Sequence, residues 1–91
     1  MKYSFKQSYV HSLKKLDKKR AEKVHSAFEQ LVHLFETGEK TSGLGLKKLR
    51  FGFWEARAGL MDRIIFRRKA DTIEFILAGN HTEIKNFLKD I

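Results

Sequence analysis

The chain has 91 residues, which is enough for one domain with one small core, since chains of this length bury only about 60 % of their unfolded surface. It contains no cysteine, which excludes a disulfide framework, a thiolate zinc site and a cysteine nucleophile, and which suits a reducing cytoplasm. The net charge of +8, from 19 Lys and Arg against 11 Asp and Glu, predicts attraction to nucleic acid, an anionic membrane surface or an acidic protein. The alternative is a strongly solvated basic protein with no polyanionic partner. No apolar run approaches the length of a membrane span.

The first half of the chain predicts a strand followed by two helices. Polar and aromatic residues alternate over Lys2 to Phe5, which is typical of a short strand. Apolar positions from about Ser8 to Leu16 suit a short helix with Ser8 as its cap, and Asp17 can cap the next one. That second helix has one apolar stripe and ends at Thr37 and Gly38, because glycine readily adopts the left-handed conformation that closes helices. The stripe consists of Ala21, Val24, Phe28, Leu31, Val32 and Phe35.

The second half predicts four strands and a last helix. A loop at 39–45 contains Thr41, Ser42 and two glycines. Turn residues then separate four segments with the alternation of strands, at Leu46–Arg50, Phe53–Ala58, Met61–Arg67 and Thr72–Ala78. Gly79, Asn80 and His81 form a predicted turn, and Thr82 can cap a short helix through Ile84, Phe87 and Leu88.

These elements predict an α+β domain over residues 1–91 with the order β-α-α-β-β-β-β-α. Short connections favour an antiparallel meander for the last four strands. One sheet face must bury the two amphipathic helices, with Ile73, Phe75 and Leu77 pointing inward. The other face is expected to stay partly open and to carry Arg57 and Arg63.

The usual catalytic motifs are absent from the sequence. There is no phosphate-binding glycine loop, no HExxH and no GxSxG. His11, His25 and His33 have spacings that bring no two of them together as a metal pair, so we expect neither a metal nor another cofactor. His81 differs because it follows a strand at the start of a helix, where anions are favoured and an imidazole can titrate near neutral pH. The alternative is that His81 only packs or caps the turn.

Five further cations are candidates for binding a phosphate backbone. Arg57 and Arg63 lie on adjacent strands joined by a short turn, so their guanidinium groups could clamp one phosphate. They could equally form a solvated face that deters edge aggregation. On the preceding strand Lys48 and Arg50 face one way and Lys47 the other, and all three would contact phosphates if the partner is nucleic acid. By contrast, Trp54 shares its face with two alanines, which favours the core over base stacking.

The chain resembles the RelE/ParE superfamily of bacterial toxins from type II toxin–antitoxin systems. The resemblance spans nearly the whole length. It rests on the opening strand, the helical hairpin and the segments GLGLKKLRFGFWEAR, DRIIFRR and IEFILAGNHTEIKNFL. It implies a RelE/ParE-like fold, an acidic antitoxin as partner and a cytoplasmic location.

The RelE branch of this superfamily cuts messenger RNA on the ribosome, and the resemblance implies the same metal-independent activity here. In that chemistry the ribose 2′-hydroxyl attacks the adjacent phosphate and leaves a 2′,3′-cyclic phosphate. By position, Arg57 and Arg63 match basic residues of the family's active face and would stabilise the phosphate. His81 matches the post-strand position where family members place an Arg or a His; a histidine there resembles the YafQ-like members and would be the acid or base. Lys48 and Arg50 would guide the RNA backbone.

Two departures from the RelE pattern keep alternatives open. Phe87 falls about where RelE has a functional tyrosine, and Glu55 falls where RelE has a lysine. The second proton transfer then belongs to another group, to the ribosome or to solvent. The alternative activity is that of the ParE branch, which inhibits DNA gyrase without cleaving RNA. A third possibility is a module that only pairs with its antitoxin and regulates their operator.

Overall fold

The computed structural model describes residues 1–40 and 43–90. The predicted loop residues Thr41 and Ser42 lie outside the described residues. The elements are β1 (Lys2–Phe5), α1 (Gln7–Lys14), α2 (Lys18–Thr37), β2 (Lys47–Lys48), a 3-10 turn (Arg50–Gly52), β3 (Phe53–Ala58), β4 (Asp62–Lys69), β5 (Thr72–Asn80) and α3 (His81–Lys89). This order confirms the predicted α+β arrangement. None of the helices in these described ranges is long and apolar enough to cross a membrane.

A single five-stranded sheet has the strand order β1-β5-β4-β3-β2. Strands β2 to β5 pair antiparallel with their sequence neighbours, which confirms the predicted meander. Strand β1 pairs parallel to β5, with Lys2 opposite Thr72 and Phe5 opposite Phe75. Helices α1 and α2 therefore carry the chain across one face of the sheet, from β1 at one edge to β2 at the other.

The larger core lies between these two helices and the sheet. Its centre is Phe75, which is fully buried and has the rings of Tyr9, Phe28 and Phe66 within 6.3 Å of its own, centroid to centroid. Leu31 of α2 is also fully buried, and truncating side chains at such sites typically costs about 2–5 kcal/mol. The helical stripe of α2 thus packs on the sheet as its periodicity predicts.

A second, smaller core lies on the opposite face, where α3 packs against the sheet. Ile84 is buried there with Phe53, Ile65 and Ile76. The expectation of a partly open face is therefore wrong for its central part, since a helix covers it. The predicted inward position of Leu77 is wrong as well, because it packs in this second core.

An irregularity in β5 explains the position of Leu77. Ile65 pairs with Leu77, but the next residue of β4, Phe66, pairs with Phe75, so Ile76 has no partner across the strand. Such a bulge shifts the alternation of a strand by one residue. Ile73 and Phe75 consequently face the larger core, whereas Ile76 and Leu77 pack with α3.

The helix ends agree with the predictions at α2 and differ at α1. Asp17 accepts a hydrogen bond from the Arg20 N–H at 2.9 Å, and Gly38 closes the helix with a φ of 78°. Helix α1 begins at Gln7 without a side-chain cap. The prediction for Ser8 is wrong, because its hydroxyl donates to the carbonyl oxygen of Ile76 in β5.

The strand predicted at Leu46–Arg50 is shorter than expected. Only Lys47 and Lys48 pair with β3, and the chain then enters the 3-10 turn at Arg50. Within this turn Phe51 has a φ of 61°, a left-handed conformation that bulky residues rarely adopt.

Candidate active site and nucleic-acid interface

The start of α3 is fixed by a reciprocal pair of hydrogen bonds. The Asn80 side chain accepts from the Glu83 N–H at 2.9 Å, and the Glu83 carboxylate accepts from the Asn80 N–H at 3.0 Å. This is a capping box. The cap is thus Asn80, and the predictions of Thr82 as cap and of a turn over 79–81 are wrong. Strand β5 leads directly into the helix, and His81 is the first helical residue, with an exposed side chain.

Gly79 leaves the space that this cap needs. A Cβ atom at Gly79 would lie 3.0 Å from Glu83 Oε1 and 3.2 Å from Glu83 Cβ, closer than ordinary contacts allow. The absence of a side chain therefore lets Glu83 fold back over the end of β5. The orientation of the first turn of α3, and with it the position of His81, depends on this close approach.

An ion pair connects the junction between β5 and α3 to helix α2. Arg20 donates to both carboxylate oxygens of Asp62, at 2.6 and 2.9 Å, and Asp62 is the residue that pairs with Asn80 across the strands. The hydrogen bonds to Asp62 raise the pKa of Arg20 above its ordinary value. The ion pair between Arg20 and Asp62 is not among the contacts predicted from the sequence. Its signal was an acidic residue at position 62, in the alternation that turns Ile64 toward the core.

Arg57 and Arg63 are direct cross-strand partners on β3 and β4. Arg63 in turn pairs with Gly79 of β5, two residues before His81. Neighbouring strands are about 5 Å apart, so one row across three strands carries both arginines and ends beside the start of α3. Arg57 is exposed, and its guanidinium group lies against Gly45, where a Cβ would be only 3.4 Å from Cζ and Nε.

Glu55 compensates part of this positive charge. Its Oε2 lies 3.3 Å from Nε of Arg63, and the two side chains are only 16 and 23 % exposed. The departure from the RelE pattern at Glu55 therefore has a defined structural consequence. Any phosphate that approaches Arg63 meets a carboxylate beside it, whereas none of the described residues forms an ion pair with Arg57.

The three candidate RNA-binding cations are divided between faces. Lys47 pairs with Glu55 and therefore shares its face with Arg57 and Arg63. Lys48 pairs with Trp54, on the opposite face, which α1 and α2 cover. Arg50 lies in the 3-10 turn, with its guanidinium carbon 5.8 Å from the centroid of the Phe51 ring. The expectation that Lys48 and Arg50 point the same way along one strand is wrong, because the strand ends at Lys48.

A second charged group lies at the β1 side of the sheet. Glu74 accepts a hydrogen bond from Arg67 at 2.6 Å and lies 3.3 Å from Lys6. The bond from Arg67 is the main reason why the pKa of Glu74 is lowered. Both cations are thereby compensated within the fold and are less available to an anionic ligand.

The remaining histidines stay away from this row. His11, His25 and His33 are exposed on the helices, and His25 lies 3.4 Å from Glu29 of the same helix. Among the described side chains, no group of three or more His, Asp or Glu is placed to hold a metal ion. Trp54 is half-buried against the larger core, in agreement with its predicted packing role.

Comparison with known proteins identifies the fold. No family model and no curated protein matches the sequence. Solved structures do match. YafQ in the Escherichia coli DinJ–YafQ complex has a TM-score of 0.74 at 14 % identity, over 90 % of this chain and 94 % of that one. The structure of the RelB–RelE complex from Methanococcus jannaschii gives 0.70 at 19 % identity, over 92 and 96 %. A YoeB/ParE toxin from Agrobacterium tumefaciens gives 0.65 at 19 %, over 89 and 99 %. The chain therefore has the RelE/ParE-like fold that its sequence predicts.

Proposed function

We propose that this chain is the toxin of a type II toxin–antitoxin system and that it cleaves messenger RNA on the ribosome. The observation that carries the proposal is the row of Arg57, Arg63 and Gly79, which leads to the exposed imidazole of His81 at a helix N-terminus. Proteins that share this fold include RelE, YafQ and YoeB, solved with RelB, DinJ and YefM respectively.

The proposed reaction is an internal transfer within the RNA. The ribose 2′-oxygen forms a bond to the adjacent phosphorus while the bond from phosphorus to the 5′-oxygen breaks, which leaves a 2′,3′-cyclic phosphate and a 5′-hydroxyl. One proton leaves the 2′-hydroxyl and one must reach the 5′-oxygen. His81 would serve as the acid or the base, since imidazole is suited to both roles near neutral pH.

The two arginines would act on the charge that develops at phosphorus. Guanidinium groups donate paired hydrogen bonds to phosphate oxygens, and donors already aimed at the site stabilise the transition state. Arg57 is the more available of the two, because Arg63 is paired with Glu55. Lys47 lies on the same face and would contact the RNA backbone.

Phe87 takes no part in this proton transfer. Its ring packs edge-on against Phe53, with 5.7 Å between centroids, and it belongs to the small core beneath α3. Packing thus accounts for the residue at this position. We infer that the second proton-transfer group comes from the ribosome or from solvent.

The nuclease proposal is tested with purified protein and translating ribosomes, by mapping the 5′ ends of the message. We expect cuts with the wild-type protein and a rate about 10²- to 10⁴-fold lower with His81→Ala, the usual contribution of a general acid or base. His33→Ala is the matched control, since His33 is also exposed on a helix. Undiminished cleavage by His81→Ala would remove the assignment. Inhibition of DNA gyrase without RNA cuts would favour the ParE-like alternative.

The proposed partner is an acidic antitoxin in the cytoplasm, where translation takes place. A net charge of +8 on 91 residues favours association with an acidic chain. The experiment is to mix the protein with the product of the neighbouring gene at low salt and to follow the complex by size-exclusion chromatography. A stable complex whose affinity falls with added salt is expected, and failure to associate contradicts the proposal.

A further inference from the structure

The 3-10 turn before β3 presents an aromatic ring that stability does not explain. Phe51 has a φ of 61° and a ψ of 25°, and 60 % of the residue is exposed. A bulky residue in the left-handed region is strained, and an exposed ring gains little from burial. Glycine would relax the backbone here, as it does at Gly52, where φ is 78°. Strained, exposed residues of this kind are concentrated at functional sites.

Cations surround this ring. The Arg50 guanidinium carbon is 5.8 Å from the ring centroid. A cleft of about 250 Å³ opens beside it, lined by Phe51, Gly52, Arg67, Arg68 and Lys69.

Three of these cations are available to a ligand. In the part of the chain that the structure describes, Arg50, Arg68 and Lys69 form no ion pair with a carboxylate, whereas Arg67 is bound to Glu74. Arg68 donates a hydrogen bond from Nε to the Ala70 carbonyl oxygen at 3.1 Å, which leaves its charge uncompensated. All three residues are exposed.

We propose that Phe51 is a stacking platform for a base of single-stranded RNA, with Arg50, Arg68 and Lys69 binding the flanking phosphates. This inference rests on the proposed function in that it takes RNA as the ligand. An aromatic face bordered by cations is the arrangement by which proteins hold single strands without reading their sequence, since every base has a face that stacks. The ligand class is therefore an unpaired RNA segment.

The platform lies at a useful distance from the arginine row. Phe53 pairs with Arg67 next to the turn, and Arg57 pairs with Arg63 four residues further along the same two strands. At about 3.3 Å per residue, the pair of Phe53 and Arg67 beside the turn lies about 13 Å from the arginine row along the sheet. A strand cut at the row could thus extend over a few nucleotides to Phe51, which would position the message without selecting its sequence.

The test is a binding titration with a short fluorescent oligoadenylate, followed by anisotropy at several salt concentrations. Phe51→Leu keeps an apolar side chain but removes the stacking face, and we expect its Kd to be roughly 5- to 100-fold weaker. Phe51→Tyr should bind like the wild type. Arg68→Gln should lower the slope of log K against log salt by about 0.7, the value for one phosphate contact on a single strand. Leu60→Ala is the control, because Leu60 is 100 % exposed in the β3–β4 turn.

The outcomes separate this subsite from the nuclease activity. Unchanged binding by Phe51→Leu, or no binding of oligoadenylate by the wild type, overturns the platform. If Phe51→Leu binds the antitoxin as tightly as the wild type but binds RNA more weakly, the platform is supported. If Phe51→Leu weakens only antitoxin binding, Phe51 is a protein contact and the platform is rejected. A protein that binds RNA through Phe51 and cuts no message keeps the platform and loses the nuclease proposal. Phe51→Gly also removes the ring and serves as a control for misfolding. Because glycine suits the positive φ at this position, the melting temperature of this variant should be at least as high as that of the wild type.

Discussion

Arg20 and Asp62 join helix α2 to the end of the sheet at which His81 emerges. Asp62 is 1 % exposed, and its carboxylate accepts two hydrogen bonds from the Arg20 guanidinium. Arg20 also lies 4.0 Å from Glu83, which caps α3 together with Asn80. The first turn of α3 is therefore held by α2 as well as by its own cap. The ion pair between Arg20 and Asp62 does not contact the reacting groups and affects His81 only by fixing where α3 begins.

Removing the arginine should destabilise the fold and weaken cleavage together. In Arg20→Met the Asp62 carboxylate would be left buried without its partner, a situation that costs more than the intact pair contributes. We expect a clearly lower melting temperature by circular dichroism, and a lower cleavage rate at temperatures where the variant is still folded. Lys19→Met, an exposed neighbour on α2, should change neither quantity.

A double variant tests the cause of this effect. Asp62→Asn in the Arg20→Met background removes the uncompensated charge, so it should recover part of the lost stability. If the double variant is less stable than Arg20→Met, the buried carboxylate is not the source of the loss.

Ser12 should be a stability determinant although it is a small polar residue on a helix. Its hydroxyl accepts a hydrogen bond from the Ala78 N–H at 3.0 Å and donates to the Tyr9 carbonyl oxygen at 2.7 Å, and the residue is 7 % exposed. Strand β1 ends at Phe5, so α1 completes the edge of β5 beyond that point. Ser12→Ala leaves a buried N–H without a partner and should lower the free energy of unfolding by about 1–3 kcal/mol in urea titrations. Ser26→Ala, which is exposed on α2, should stay within about 0.5 kcal/mol. A similarly small loss for Ser12→Ala would mean that water replaces the hydroxyl.

The features that the sequence predicts well are those that neighbouring residues determine. The apolar stripe of α2, its Asp17 cap and its Gly38 terminus depend on contacts within one helix. The facing positions of Arg57 and Arg63 follow from a short turn, which fixes the register of the two strands it joins.

The features that it misses depend on contacts between distant segments. The bulge at Ile76 is not encoded in the alternation of β5, and it turns Leu77 toward α3. Serine is a favoured cap residue, yet the Ser8 hydroxyl donates a hydrogen bond to the backbone of β5, 68 residues along the chain. Asn80 and Thr82 are both good caps, and the choice between them depends on how far β5 pairs with β4. The ion pair between Glu55 and Arg63 is diagonal across β3 and β4, since Glu55 is opposite Ile65 and Arg63 is opposite Arg57, so strand alternation alone does not single it out.

The two tyrosines should make the fold sensitive to alkaline pH. Burial is the main cause that raises the pKa of Tyr9 and of Tyr3 to about 12, and a 2.6 Å hydrogen bond to Glu36 adds to it at Tyr3. Because the unfolded chain loses these protons near pH 10, it binds fewer protons than the native state between about pH 10 and 12. This contribution is complete below pH 10 and is lost as the pH rises through about 12. For Tyr9 alone, the free energy of unfolding should fall by about 1.4 kcal/mol per pH unit between about pH 10 and 12.

Two measurements check this alkaline dependence. Tyrosinate absorbance should titrate near pH 12 in the native protein and near 10 in urea. The fall in stability with pH should be shallower for Tyr9→Phe. Native titration near 10 for both rings would contradict the burial argument.

Glu55 should limit the affinity of the arginine row for RNA. Its carboxylate lies 3.3 Å from Nε of Arg63 and would be close to any phosphate bound there. Glu55→Gln keeps the shape of the side chain and removes its charge. We expect RNA binding to tighten by up to about fivefold, which corresponds to an ion pair of about 1 kcal/mol, and the salt dependence to become steeper. Glu22→Gln, an exposed change on α2 with the same difference in net charge, controls for the overall field of the protein. If both variants tighten binding equally, the net charge is responsible, and Arg63 does not contact the RNA. If only Glu55→Gln does so and Arg63→Gln abolishes the gain, the carboxylate acts through Arg63.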